Sequence, residues 1–253
     1  FSPKTRKKDY LIQAIFCIDD RECSLRRFLE EIDEEIETFS TPGHFGLDFY
    51  YKETDHSYPQ KHCPAPVNAS FLIQKKRGEV AQKIRKFKWQ QRKNHSIFHE
   101  LLSTFFDGIR LSLLFAKDVI FPSSAKNVTA THMNESDLFF KLFRTTDNEK
   151  MHDKFLGYTK EEAALRLANV FKSIGLVDQF SKVVFIAGHG STTSNNPYFS
   201  AYGCGACSGR TGNINSIVFS SIAQDLEVQN ILREKYSIDI PRETRFVPLM
   251  HDT

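Results

Sequence analysis

Long hydrophobic runs are missing from this sequence of 253 residues, and so is a strong excess of charge of one sign. No apolar run approaches the roughly 18 residues that a membrane span requires. The run that comes closest, at 101–121, is interrupted by four charged side chains. A net charge of +3 gives no field that would attract nucleic acid. These absences argue against a membrane-spanning segment in the chain and against DNA or RNA as a partner.

Cysteine is also scarce, since the chain has only five, an odd number that does not suit a disulfide scaffold. Such a count is typical of a reducing compartment, in which thiols bind metal ions or pack in the core. The composition, 40% hydrophobic with 23 phenylalanines and 26% charged, is that of a globular protein with ample core. The sequence begins without methionine and ends directly after a strand-like run, so we expect a piece of a longer polypeptide.

The order of apolar patterns along the chain predicts an α/β fold, because strand-like runs alternate with helical periodicity. The predicted elements are, in order, a strand at 11–18, a helix after Asp20, helices at 75–93, 101–121 and 159–174, a strand at 182–187, a helix at 215–236 and a strand at 245–250. Thr159 and Glu162 are predicted to form a capping box at the start of their helix. We therefore expect one α/β domain over 1–253, with a mostly parallel sheet and flanking helices.

Two stretches interrupt this pattern. Residues 39–70 carry prolines, glycines, tyrosines and histidines without periodicity, and we predict a long loop there. Residues 75–150 are predicted to be a helical and irregular insertion, whose first helix at 75–93 carries nine Lys or Arg against one Glu. A solvated helix face is the ordinary explanation for such a charge run. An acidic lipid surface or a docking partner is the alternative.

Side chains that bind metals follow two of the predicted strands. Cys17 and Asp19 end the first strand, His189 ends the strand at 182–187, and Cys204 lies in the glycine-rich loop after it. Because parallel strands end at the same edge of an open sheet, we expect these side chains to converge there. Two thiolates, an imidazole and a carboxylate are together a zinc ligand set. The sequence thus predicts a zinc site with these four residues as ligands.

The predicted site allows two states. With water in the fourth position, zinc lowers the pKa of that water from about 9 towards 7, giving a zinc-bound hydroxide at neutral pH. With Asp19 in that position, the site is closed. Arg21 lies two residues further on, where a bidentate contact could pull Asp19 off the metal. Asp19 and Arg21 are therefore predicted to form a catalytic dyad that also gates the site.

The motif Cys-x-Asp-x-Arg at the end of a strand, completed by a distant His and Cys, resembles the zinc site of β-type carbonic anhydrases. The longer context is similar to the DabA family, the large zinc-binding subunit of a bacterial inorganic-carbon uptake system. The matching segments span nearly the whole chain and are 16–21 with 25–30, 188–191, 196–197, 204–207, and 242–245 with 251–253.

This resemblance implies a β-carbonic-anhydrase-like core, one Zn²⁺ ion and conversion of CO2 to bicarbonate, with net uptake driven by coupling to an ion gradient. The family's metal positions carry over to Cys17, Asp19, His189 and Cys204, and its dyad to Asp19 and Arg21. The resemblance also implies a DabB-type, antiporter-like membrane subunit as partner. This chain would then be peripheral, held by that partner on the cytoplasmic face of the bacterial inner membrane.

Two features depart from the related patterns. His189 and Cys204 are fifteen positions apart, whereas β-type anhydrases place the two ligands two residues apart; the spacing here fits the DabA pattern. That family often has Val-Arg-Ser-Glu after the aspartate, whereas this chain has Asp20-Arg21-Glu22-Cys23. The difference places an extra carboxylate beside the site, where it could alter gating or metal affinity.

Two other classes of function remain open on the sequence alone. One is a structural zinc domain with four protein ligands and no chemistry. The other is a zinc hydrolase or a redox protein that uses Cys204 and Cys207 as a Cys-x-x-Cys pair. Otherwise, Cys207 is predicted to pack beside the site. Four histidines are further candidates for lining the pocket or its entry path, namely His44, His56, His62 and His251.

Overall fold

The computed structural model describes residues 10–53, 58–76, 97–120, 139–146, 148–191 and 201–252. The chain divides into two compact units, one formed by 1–76 with 140–253 and the other by 77–139. The first unit contains the metal-binding candidates. The predicted basic helix at 75–93 lies outside the described residues, except for Lys75 and Lys76, which end a strand instead.

Ten strands and five α-helices are assigned within the described residues. They are β1 Ile12–Cys17, α1 Asp20–Ile32, β2 Ile36–Thr41, β3 Phe49–Lys52, β4 Gln60–Lys61, β5 Phe71–Lys76, α2 Ile97–Ile120, β6 Phe139–Lys141, β7 Lys150–Met151, β8 Lys154–Leu156, α3 Lys160–Ile174, β9 Val183–Gly190, α4 Asn213–Ala223, α5 Leu226–Tyr236 and β10 Arg245–Asp252. None of these helices is both long and apolar enough to cross a membrane.

The first sheet has four strands in the order β10-β9-β1-β2, and every pair in it is parallel. The two central strands are almost entirely buried, which explains why both are continuous apolar runs in the sequence. All four strands end at one edge, where Cys17 pairs with Thr41 and His189 with His251. The predicted α/β class with a parallel sheet and flanking helices is confirmed, while the carbonic-anhydrase-like core stays a prediction.

Helices cover both faces of this sheet, because successive residues of a strand point to opposite sides. Ala14 and Phe16 of β1 pack towards Leu25 and Leu29 of α1. Ile15, on the opposite face, belongs to the main core together with aromatic and aliphatic side chains of α3, α4 and α5. The sheet is therefore fixed on both sides, and only its edges and strand ends are free to form a site.

A second, six-stranded sheet was not predicted from the sequence. Its order is β4-β3-β5-β8-β7, with β6 pairing to β5, and it mixes parallel and antiparallel pairs. The segment 39–70, expected to be a long loop, contains β3 and β4. The segment 75–150, expected to be a helical and irregular insertion, contains α2 and also contributes β6 to this sheet.

Two helix starts show how local chemistry sets element ends. The capping box at α3 is confirmed, since Thr159 Oγ1 accepts from the Glu162 amide at 3.1 Å and Glu162 Oε2 accepts from the Thr159 amide at 2.8 Å. The single helix predicted at 215–236 is instead two helices. Asp225 separates them, because its carboxylate accepts hydrogen bonds from the first amides of α5 and starts a new helix there.

Candidate metal centre

Three of the four predicted ligands converge at the carboxyl-terminal edge of the parallel sheet. Cys17 is the last residue of β1, His189 is the penultimate residue of β9, and Cys204 directly precedes a 3-10 turn at Gly205–Cys207. One ligand atom from each of the three residues lies within 4.8 Å of the other two, and all three residues are buried. The structure therefore contains a group of two sulfurs and an imidazole nitrogen that could hold a metal ion.

The burial of these three donors and the lack of hydrogen bonds to His189 from other described residues fit a bound metal ion. Both ring nitrogens of His189 are buried and have no hydrogen-bond partner among the described residues, which is costly unless something else satisfies them. The hydrogen bond with Cys204 and then burial raise the pKa of the Cys17 thiol well above its usual value. Two buried thiols this close lose their protons together only beside a cation. A metal ion would satisfy one nitrogen and both sulfurs at once.

Asp19 lies beside this group and is held by Arg21. Asp19 Oδ1 accepts from Arg21 Nε at 2.7 Å and Asp19 Oδ2 accepts from Arg21 Nη2 at 2.9 Å, while Asp19 Oδ2 is 3.8 Å from His189 Nε2. The guanidinium is itself oriented, because it also donates to the carbonyl of Tyr202 at 2.9 Å. The hydrogen bonds from Arg21 lower the pKa of Asp19 to about 2. The Asp19–Arg21 pair exists in the structure, whereas its catalytic role and metal ligation by Asp19 stay predictions.

Glu22, which lies in the stretch 20–23 that was expected to differ from the related pattern, is fully buried and contacts His251. Nδ1 of His251 lies 2.8 Å from Oε1 of Glu22. Oε2 of Glu22 has no hydrogen-bond partner in the part of the chain that the structure describes. His251 is in register with His189 on the neighbouring strand, yet it is not one of the three clustered donors. Glu22 thus sits at the rim of the site, paired with the histidine at the third strand end.

Gly43 is a site residue that sequence reasoning missed. A Cβ atom built on Gly43 would lie 2.7 Å from Cys204 Sγ and 2.8 Å from Cys17 Sγ, so the backbone packs directly against both sulfurs. The Gly43 carbonyl also accepts a hydrogen bond from Cys207 Sγ at 3.3 Å. A Pro-Gly pair after a strand is typical of a turn, and nothing in the sequence distinguished this one from an ordinary turn.

The remaining histidine candidates are dispersed. His62 is buried, lies parallel to the Phe49 ring at 5.8 Å between centroids, and has Nδ1 3.1 Å from Asn215 Oδ1, so it is part of the core packing. His44 directly follows Gly43, and burial lowers the pKa of its imidazole. His56 lies outside the described residues.

Comparison with known proteins supplies the family. Residues 2–253 match the family described as "Probable inorganic carbon transporter subunit DabA". The chain belongs to the DabA family. The DabA protein of Nitrosospira multiformis is 37% identical over 248 residues, which cover 95% of this chain and 26% of the relative. That of Azotobacter vinelandii is 36% identical over 247 residues, covering 95% and 28%.

A third DabA relative, from Methylococcus capsulatus, is 32% identical over 273 residues, covering 98% of this chain and 25% of the relative. The chain therefore spans about a quarter of the length of the curated DabA proteins that it matches. No solved structure matches it. The family resemblance expected from the motifs is thus confirmed, and the Cys17–His189–Cys204 group lies within the matched residues.

Proposed function

We propose that this chain is the zinc-binding, carbonic-anhydrase-like part of an energy-coupled inorganic carbon uptake system, and that it converts CO2 to bicarbonate. The observation that carries the proposal is the buried group of Cys17, His189 and Cys204, with its ligand atoms within 4.8 Å at the rim of a parallel sheet. The relatives are named as inorganic carbon transporter subunits, which supports CO2 and bicarbonate as the substrate class.

The donor set favours zinc and an open coordination position. Two thiolates and one imidazole are three of the four ligands of tetrahedral zinc, and catalytic zinc sites keep the fourth position for water or substrate. Zinc bound there would supply a nucleophile for CO2 at neutral pH, because it lowers the pKa of coordinated water towards 7. The buried edge of the sheet would exclude bulk water from the reacting CO2.

Asp19 and Arg21 are proposed to gate that fourth position. Arg21 engages both carboxylate oxygens of Asp19, so the carboxylate is occupied by the guanidinium. An Asp19 released by Arg21 would return towards its ordinary pKa of 3.8, so it would still be ionised at neutral pH and could act as an anionic ligand. Loss of the pair would let Asp19 take the fourth position and close the site. The paired state corresponds to the open, active one.

A membrane partner explains why such a site would serve uptake. An anhydrase alone only equilibrates CO2 with bicarbonate, so accumulation requires coupling to an ion gradient. We propose a DabB-type, antiporter-like subunit as that partner, with this chain bound peripherally on the cytoplasmic face of the bacterial inner membrane. The partner would supply the coupling by shifting the site between its closed and open states. Rapid CO2 hydration by the isolated protein would contradict this gating.

Metal analysis of the full-length protein tests the assignment. We expect one zinc ion per chain in the wild type and loss of that zinc in Cys17→Ser, His189→Ala and Cys204→Ser. Cys23→Ser is the matched control, because Cys23 is exposed and outside the donor group, and it should keep its zinc. Retention of stoichiometric zinc by all three ligand variants would remove the basis of the proposal.

A structural zinc site is the second candidate, and one observation favours it. Cys207 supplies a third buried thiol, which packs in one cluster with Cys17 and Cys204. Three thiolates and a histidine would form a closed tetrahedron of the structural type. Cobalt substitution separates the two candidates, since a cobalt site whose spectrum does not respond to added anions has no open position.

A further inference from the structure

We propose that Gly43 is a positioning residue that lets the two ligand sulfurs meet and holds the third thiol, Cys207, away from the metal. Gly43 would thereby keep the centre from closing with a third sulfur. The inference rests on the proposed metal centre and goes beyond it, because it names the feature of the chain that decides whether a third thiol joins the metal.

Position 43 has no room for a side chain beside the two ligand sulfurs. Gly43 follows β2, the strand next to β1, and comes two residues after Thr41, which pairs with Cys17. A Cβ on Gly43 would approach both ligand sulfurs to less than 3.0 Å, and would lie 3.3 Å from Cys17 Cβ. Gly43 is not among the glycines with positive φ, so its backbone conformation is open to other residues. Among the described residues, the feature that demands glycine here is therefore the lack of space beside the sulfurs.

The backbone of Gly43 also fixes the position of the Cys207 sulfur. Cys207 Sγ donates to the Gly43 carbonyl at 3.3 Å, and both residues are buried. This contact holds Cys207 Sγ against the Gly43 backbone. Cys207 is accordingly absent from the group of described donors that lie within 4.8 Å of one another.

Together, the packing of Gly43 against two sulfurs and its hydrogen bond from Cys207 determine how many sulfurs can bind the metal. Cys204 and Cys207 are spaced as a Cys-x-x-Cys pair, a spacing at which both sulfurs commonly bind one zinc ion. Here one backbone unit packs against Cys17 and Cys204 and takes the hydrogen bond of Cys207. Three protein ligands with a free position belong to catalytic zinc, and four to structural zinc. Gly43 thus favours the catalytic arrangement.

Cobalt spectroscopy tests the placement of Cys207. The full-length protein is loaded with Co²⁺, and the thiolate-to-cobalt charge-transfer intensity per bound cobalt is compared between wild type and Cys207→Ser. We expect equal intensity, because Cys207 is not a ligand. A fall by the share of one thiolate in three would overturn the inference and leave the proposed metal centre intact. A wild type that binds neither cobalt nor zinc would overturn both.

A pair of alanine substitutions tests the steric role. Gly43→Ala is expected to weaken zinc binding at least about 10-fold, the range seen when the support around metal ligands is disturbed. Gly205→Ala is the matched control, because Gly205 lies next to Cys204 and a Cβ there meets nothing within 4 Å. Zinc affinity by chelator competition and thermal unfolding of the metal-free forms are measured for both.

The two substitutions are expected to separate metal affinity from folding, with similar unfolding temperatures of the metal-free proteins and a lower affinity only in Gly43→Ala. Equal zinc affinities of Gly43→Ala and Gly205→Ala would overturn the steric argument. If Gly43→Ala does not fold, the cobalt comparison between wild type and Cys207→Ser still decides the inference.

Discussion

The two sheets of the first unit differ in how their most buried nitrogen-bearing side chains are paired. At the rim of the parallel sheet, both ring nitrogens of His189 lack partners among the described residues. Beside the six-stranded sheet, two arginines have carboxylate partners within the chain: Arg144 donates to both carboxylate oxygens of Glu162, at 2.8 and 2.9 Å, although its Nε has no hydrogen-bond partner among the described residues, and Arg166 donates to Asp48. The unpaired imidazole fits a place for an external ligand, whereas an arginine–carboxylate pair is costly to break from one side.

Aromatic rings strengthen that contrast. The Arg166 guanidinium lies 4.6 Å from the Phe71 ring and 4.8 Å from the Tyr158 ring, and Arg144 lies 4.8 Å from Phe155. Each of these two cations is therefore held by both a carboxylate and a ring face of the chain itself. At the rim of the parallel sheet, in contrast, the ring nitrogens of His189, unpaired within the described part of the chain, need a bound ligand.

Metal removal should show this difference most strongly. With free metal at about 1,000 times its dissociation constant, a chelator is expected to cost the wild type about 4 kcal/mol of unfolding free energy, because only the folded state offers the preformed site. For a protein of this size, that lowers the melting temperature by about 10 °C. Thermal unfolding with and without chelator measures the effect. Cys17→Ser should not respond to the chelator, and equal responses of the two proteins would contradict the contrast.

Low pH should reveal how much His62, a histidine buried beside the second sheet, contributes to the free energy of unfolding. Burial lowers the pKa of His62 to about 4 from its usual 6.5, so the unfolded chain binds the proton more readily below pH 6.5. Stability contributed by neutral His62 is therefore present above pH 6.5 and is lost as pH falls towards 4. Between pH 7.5 and pH 5 the loss is expected to be about 2 kcal/mol, given about 1.4 kcal/mol per pKa unit.

Urea unfolding of His62→Gln at the two pH values tests this assignment. The variant should lose about 2 kcal/mol less than the wild type between pH 7.5 and pH 5, because glutamine does not titrate. His152→Asn is the control, since His152 is an exposed turn residue with φ of 50°, a conformation that asparagine tolerates. Equal pH dependence in wild type and His62→Gln would assign the acid sensitivity to other groups.

The ion pair between Arg144 and Glu162, beside the second sheet, should contribute a comparable amount to the free energy of unfolding. Arg144 has a side chain that is only 7% exposed, and Arg144→Met would leave the Glu162 carboxylate without its main partner. We expect a loss of about 2 kcal/mol, below the 3–5 kcal/mol of a fully buried pair because Glu162 is partly exposed. Metal content should not change. Arg27→Met is the control, since its pair with Glu31 is exposed and 3.9 Å long, and similar losses in both variants would remove the distinction.

Much of the rim could be predicted from the sequence. Cys17 and His189 end two buried apolar runs, and parallel strands finish at a common edge, so their convergence follows from topology alone. The Asp19–Arg21 contact is equally local, because Asp19 caps α1 and Arg21 is the second residue of that helix. The contact of Gly43 with the sulfurs could not be predicted, since it depends on where β2 places the following turn against β1.

The second sheet could not be predicted from the sequence, and the reason is physical. Several of its strands have only two to four residues, too few for an alternating apolar pattern, and neighbours such as β3, β5 and β8 are far apart in the chain. The apolar side chains of 39–70 resembled a loop because turns separate them. Pairing of such strands is decided by tertiary packing rather than by local propensity.

The smallest expected effect belongs to the capping box of α3, which was predicted from sequence. Thr159→Ala removes the hydroxyl that accepts from the Glu162 amide and should cost about 1 kcal/mol in urea unfolding. Thr159→Ser keeps an accepting hydroxyl and should stay within about 0.5 kcal/mol of wild type. Neither variant should change metal content, because the cap stabilises a helix end and supplies no donor to the rim. Metal loss in Thr159→Ala alone would show that this helix end and the metal-binding rim are energetically coupled, which would contradict their independence.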